Sequence, residues 1–73
     1  MTKLPLLKGQ DLIAILEKHG FEAIRQSGTH VRMKHPDGRV TTVPIHKGQN
    51  IGRGLLRKIL RDTELSVDDI LGY

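Results

Sequence analysis

Hydrophobic positions along this chain follow a helical rhythm, then an alternating one, then a helical one again. From Gly9 or Gln10 to Lys18, the residues Leu12, Ile13, Ile15 and Leu16 recur at helical spacing while Asp11 and Glu17 stay polar. Asp11 falls in the first turn and Lys18-His19 in the last, where each charge suits the helix dipole, and Gly20 supplies a C-cap. Ahead of this helix, Met1–Lys8 reads as an extended lead-in, because Pro5 discourages an early helical start.

The period then shortens to two. Phe21–Gln26 reads as a first strand with Phe21 and Ile24 as its apolar members, and Ser27-Gly28 as a tight hairpin turn. A second strand runs from Thr29 to about His35, sending Val31 and Met33 one way and His30, Arg32 and Lys34 the other. His35-Pro36-Asp37-Gly38 fits a type I turn with glycine in the left-handed position, leading into a third strand over Arg39–Ile45. That turn sets the register. His35 falls opposite Arg39, Met33 opposite Thr41 and Val31 opposite Val43, so these apolar residues share an inner face on which Thr41 is the weakest member. On the outer face His30 lies opposite Pro44 and Arg32 opposite Thr42, and the two-residue first hairpin brings Arg25 to face His30. Pro44 has no donor and belongs near the end of an edge strand.

Helical spacing returns after the polar loop His46-Lys47-Gly48-Gln49-Asn50. A second helix is predicted from near Ile51–Arg53 to about Asp62, with Leu55, Leu56, Ile59 and Leu60 buried and Arg53, Arg57, Lys58 and Arg61 solvated. Ser66 with Asp69 resembles a capping box carrying a shorter acid, opening a short helix over Val67–Leu71. The order α-β-β-β-α-α predicts an α+β fold: a three-stranded antiparallel sheet with both main helices on one face.

Length adds one constraint: 73 residues make one domain, 1–73, with a small core, so any active site is shallow and near the surface. Without cysteine there is no disulfide framework and no thiolate metal site, which is compatible with the cytoplasm. No stretch approaches the roughly 18–20 apolar residues of a membrane span, and the start lacks a signal-peptide core, so a cytoplasmic location without membrane attachment is expected. Twelve Lys and Arg against eight Asp and Glu give a formal charge of +4. The excess favours a polyanionic partner, nucleic acid first. Phe21 and Tyr73 are the only aromatic rings besides the histidines, so there is no base-stacking platform. Phosphate and sugar should then carry the contact, with little base specificity.

Few residues suit catalysis. Neither Ser27 nor Ser66 sits in a motif that activates a hydroxyl; Asp37 is explained by its turn, Asp68 and Asp69 by the terminal helix, and Glu22 and Glu64 have no evident partner. His30 and His35, five apart on a strand, point to opposite faces and cannot share a metal; no metal or other cofactor is expected. His35 is explained by its turn and His19 by its helix end. What remains is acid–base chemistry by His30 on a phosphodiester, because histidine titrates near neutrality. Arg32 and Lys34, about 7 and 14 Å along the same face, are placed to hold phosphate. His46 follows Pro44 across from the start of the second strand and is placed to reach His30. Spacing alone favours the plainer reading, a solvated strand face that carries a histidine.

The same residues carry a family resemblance. Gly28-Thr29-His30, Lys34-His35-Pro36-Asp37-Gly38-Arg39, Thr42-Val43-Pro44-Ile45-His46-Lys47-Gly48 and Leu56-Arg57-Lys58-Ile59-Leu60 together resemble the HicA toxins, the YcfA-like group. The resemblance runs from the first helix through the second, and its specificity lies in the joint pattern. It implies a double-stranded-RNA-binding-domain-like fold and a metal-independent endoribonuclease that cleaves mRNA and arrests translation. It also implies neutralisation by a HicB-type antitoxin, with a monomeric toxin inside a hetero-oligomeric complex. The family's catalytic histidine maps onto His30. Thr29 replaces the commoner serine, and Val31 stands where many members have a second histidine, so the second proton-transfer group is open between His46 and water. Candidate RNA contacts are Arg25, Arg32, Lys34, His46 and Lys47. The competing readings are a non-catalytic RNA-binding module of the same fold, and an interaction protein whose outer sheet face docks a partner.

Overall fold

In a computed structural model, residues 4–72 are described, and the elements are α1 (Gly9–Lys18), β1 (Glu22–Ser27), β2 (His30–Lys34), β3 (Val40–Pro44), α2 (Arg53–Thr63) and α3 (Val67–Leu71). The strands form one antiparallel sheet in the order β1-β2-β3, with helices packed against it. This is the α+β arrangement that the element order predicts, consistent with the double-stranded-RNA-binding-domain-like fold that the resemblance implies. The part of the extended lead-in over residues 1–3 lies outside the described residues. Leu7 and Lys8 are tied to the loop before α2, where Ile51 donates its amide to the Leu7 carbonyl (2.7 Å) and Lys8 bridges Asn50.

The β2–β3 register is the one the turn predicts: His30 opposite Pro44, Val31 opposite Val43, Arg32 opposite Thr42, Met33 opposite Thr41. The hairpin closes with the Gly38 amide on the His35 carbonyl (2.9 Å) and the His35 amide on the Arg39 carbonyl (2.8 Å). Val31, Met33 and Val43 meet Leu12, Ile15 and Leu16 of α1, and Leu56, Ile59 and Leu60 of α2, in one buried core. Thr41 is also buried there, and it is satisfied: its hydroxyl donates to Asp62 Oδ2 (3.1 Å). The same oxygen accepts from Lys58 Nζ at 2.9 Å. The Lys58 bond, aided by the Thr41 hydroxyl, holds the Asp62 carboxyl below its ordinary range.

Three expectations need correction. The first hairpin turns on Gly28-Thr29, with Ser27 paired to His30. Gly28 takes φ +59, the left-handed value that suits a first central position of such a turn, so the turn slides one residue from Ser27-Gly28. Arg25 therefore faces Arg32 and sits diagonal to His30. Second, Ile24 is 53% exposed, because the register slips between Ala23 and Arg25 and removes it from the inner face. Phe21 is buried but precedes β1. Third, Leu55 is not in the core; it is 38% exposed, and Thr63 fills the buried stripe of α2 instead.

Contacts at both ends of the hairpin add to this core. A Cβ on Gly9 would run into the Pro44 carbonyl oxygen and the Ile45 side chain, so the start of α1 lies directly on the end of β3. At the other end, Arg39 Nε binds Asp37 Oδ2 (2.8 Å), Nη1 reaches the Thr63 carbonyl (2.5 Å), and the guanidinium covers Phe21 at 5.1 Å. His35 meets the same Phe21 ring edge-on, 5.1 Å between centroids, and accepts the Asp37 amide on Nδ1. The Asp37 carboxyl is held low by the Arg39 amide, then by its guanidinium. In α3, Ser66 and Asp69 exchange capping bonds of 3.1 and 2.7 Å. For Asp37, Asp62 and Asp69 alike the folded value lies below the ordinary one. Their stabilising effect is complete above the ordinary carboxylate range and is lost as pH falls through the depressed values.

Candidate functional site

The outer face of the sheet is built in rows. Ser27, His30 and Pro44 form the first, Arg25, Arg32 and Thr42 the second, Glu22, Lys34 and Val40 the third. All of β1 is exposed, as are His30, Arg32 and Lys34. In the second row Arg25 stands directly opposite Arg32, and among the described residues neither guanidinium has a carboxylate partner within an ion-pair distance. Like charges in that position repel. Arg32 makes one long contact, Nη1 to Thr42 Oγ1 at 3.4 Å. The row presents two guanidiniums on an exposed face.

Beside the first two rows, past the β3 edge, lies a cavity of about 420 Å³. His30, Thr42 and Pro44 contribute its sheet side, and His46, Gln49, Asn50 and Ile51 its loop side. Leu55 and Lys58 close it from α2. The loop reaches this position because both of its ends are fixed. Ile45 donates to the Thr29 carbonyl (2.6 Å), which continues the ladder past Pro44, and the Gln49 amide closes a turn onto the His46 carbonyl (3.0 Å). The Ile51 and Asn50 ties to Leu7 and Lys8 hold the far end.

The structure thus brings His46 to the His30 cavity. Lys47 faces a neighbouring cavity instead, with Lys8, Gln10 and Gly48, and His46 borders both. Arg25, Arg32 and Lys34 lie outside the His30 cavity; Arg32 approaches it through Thr42, and Lys34 lies at the opposite end of the strand, near Glu22 and His35. His35 and His19 are away from the site: His35 is packed on Phe21, and His19 caps α1. Among the described residues no three His, Asp or Glu side chains converge as metal ligands would.

Sequence reasoning missed Lys58, Leu55, Gln49 and Asn50 as residues of this cavity. Leu55 and Lys58 are three apart on one helix, so they share a face. That face was not assignable without knowing that α2 flanks the β3 edge. Gln49 and Asn50 belong to a loop whose path is set by long-range ties that leave no local signal.

The HicA toxin family model, described as the HicA toxin of bacterial toxin-antitoxin, matches residues 9–65. This chain belongs to the HicA toxin family. The match runs from the first residue of α1 to just past α2, so it includes the whole sheet and every residue of the cavity. Membership makes the chain the toxin side of a toxin–antitoxin pair, with a HicB antitoxin as the implied partner. No curated protein matches the chain. No helix among the described residues is long and apolar enough to cross a membrane.

Proposed function

We propose that this toxin is a metal-independent endoribonuclease that cleaves mRNA and so arrests translation in the cytoplasm. His30 acts as general acid/base, and His46, on the same cavity, is its proton-transfer partner. The observation that carries this reading is that shared cavity, with the unpaired Arg25–Arg32 row beside it. In the reaction one imidazole takes the proton of a 2′-hydroxyl, the 2′-oxygen bonds to the adjacent phosphorus, and the P–O5′ bond breaks. The other imidazole, protonated, supplies the proton to the leaving 5′-oxygen. The products are a 2′,3′-cyclic phosphate and a 5′-hydroxyl. Arg25 and Arg32 hold a phosphate next to the scissile one, with Lys34 and Lys47 extending the basic track in opposite directions.

The toxin acts as a monomer released from a hetero-oligomer. Its HicB-type antitoxin covers the His30 face, and charge favours an acidic covering surface. The test is His30→Ala. The variant should lose growth arrest and at least about a hundredfold in RNA cleavage, a general acid/base contribution, while keeping its fold and most of its RNA affinity. His46→Ala should slow cleavage less. If His30→Ala arrests growth and cuts RNA like the parent, the catalytic reading is wrong, and RNA binding through the arginine row becomes the better one.

A further inference from the structure

The cavity beside His30 has features that acid–base chemistry does not use. Part of its lining is aliphatic: Pro44 from the sheet, Ile51 from the loop and Leu55 from α2. Leu55 is the notable one, a stripe leucine of an amphipathic helix that remains 38% exposed because it faces the cavity rather than the core. The loop also brings Gln49 and Asn50 to the lining, and among the described residues neither side-chain amide makes a hydrogen bond. At the rim Lys58 is steadied by Asp62, which is itself bonded to buried Thr41.

We infer that this cavity is a base-binding subsite, taking a single unstacked nucleobase of the RNA next to the cleavage point. A binding site for a small group is mostly apolar with a few convergent polar groups, and about 420 Å³ is in the lower part of the usual range of such sites, room for one nucleotide. Single-stranded bases are recognised by covering a face and hydrogen-bonding an edge. Here Pro44, Ile51 and Leu55 cover the face in place of an aromatic ring. Gln49 and Asn50 each offer a donor pair and an acceptor to the base edge. The occupant is nucleic acid rather than a protein side chain, because Thr42 joins the cavity to the Arg25–Arg32 row and Lys58 lines it, with no carboxylate in the lining. The inference rests on the reading of the protein as an RNA-cleaving toxin, and it replaces the low base specificity expected from the scarcity of aromatic residues.

The test is binding, so that it stands apart from cleavage. Affinities of the wild-type protein are measured for short 2′-O-methyl RNAs that cannot be cut, differing at one position as A, C, G, U or an abasic site. The best base should bind about tenfold more tightly than the abasic site at one position of the strand. Leu55→Ala should weaken all bases there together. A Gln49→Ala, Asn50→Ala double variant should instead flatten the differences among them. Equal affinity for all bases and the abasic site overturns the subsite, as does a base preference that survives all three changes. Loss of all RNA binding, with amide shifts at these residues only when the antitoxin is added, also overturns it and assigns the cavity to the protein partner. Base-dependent binding without cleavage of ordinary RNA would sink the nuclease reading and leave the subsite standing.

Discussion

Arg25 and Arg32 make the sharpest statement at the scale of single residues. Two guanidiniums opposite each other on adjacent strands, with no carboxylate partner among the described residues, cost stability, and in the proposed reading an RNA phosphate offsets the repulsion. Arg25→Thr should therefore raise the thermal midpoint while weakening RNA binding. Removing one cross-strand repulsion is worth about 0.2–1 kcal/mol, and in a domain this small 1 kcal/mol moves the midpoint by about 4–8 °C. The same variant should lower the slope of log affinity against log salt by about 0.7, the loss of one phosphate contact to single-stranded RNA. Scanning calorimetry and a salt titration check both. A lower midpoint with unchanged RNA affinity would mean that Arg25 serves the fold.

Elements decide how much of this was readable in the chain. The β2–β3 hairpin was legible in full, because a Pro-Asp-Gly turn and a strict alternation over Val31, Met33 and Val43 specify one register between them. The β1–β2 hairpin was legible only to within one residue. Ser27, Gly28 and Thr29 all tolerate a turn, and β1 has no buried alternation to fix the pairing, since its residues are exposed throughout. Leu55 went wrong for a related reason. Helical spacing shows which residues share a face but not where the edge of the covering sheet falls, and Leu55 lies just past it. His30 was readable as a candidate from its strand, and His46 as its neighbour from the register of Pro44. Lys58, Gln49 and Asn50 required the path of the loop and helix around the β3 edge.

The packing of α1 on β3 is also an element-level fact with no sequence signature beyond a glycine at the helix start. Gly9→Ala places a methyl group against the Pro44 carbonyl, where backbone rather than a flexible side chain must yield. Overpacking of this kind costs about 1–3 kcal/mol. Because the displaced segment is Pro44-Ile45-His46, urea denaturation should show the loss of stability together with slower RNA cleavage. A neutral substitution would mean that α1 does not fix the end of β3.

The whole molecule places one small core beneath an exposed basic sheet and puts the only two site histidines where that sheet meets the loop before α2. A marginal domain of this size has no room for an enclosed active site. The proposed chemistry lies at an edge, open to a long polymer and equally open to a protein that covers it. In the proposed reading the net charge of +4 favours capture of the polymer and the arginine row its alignment. We propose that cleavage proceeds through the substrate's own 2′-hydroxyl beside His30, without metal. The most direct measurement is the cleavage rate, in EDTA, of two RNAs identical except for a single 2′-deoxyribose at the mapped cleavage site. The all-ribose strand should be cut to a 2′,3′-cyclic phosphate end, and the deoxy-substituted strand should remain intact at that bond. Equal cutting of both strands at that position would contradict the proposed chemistry.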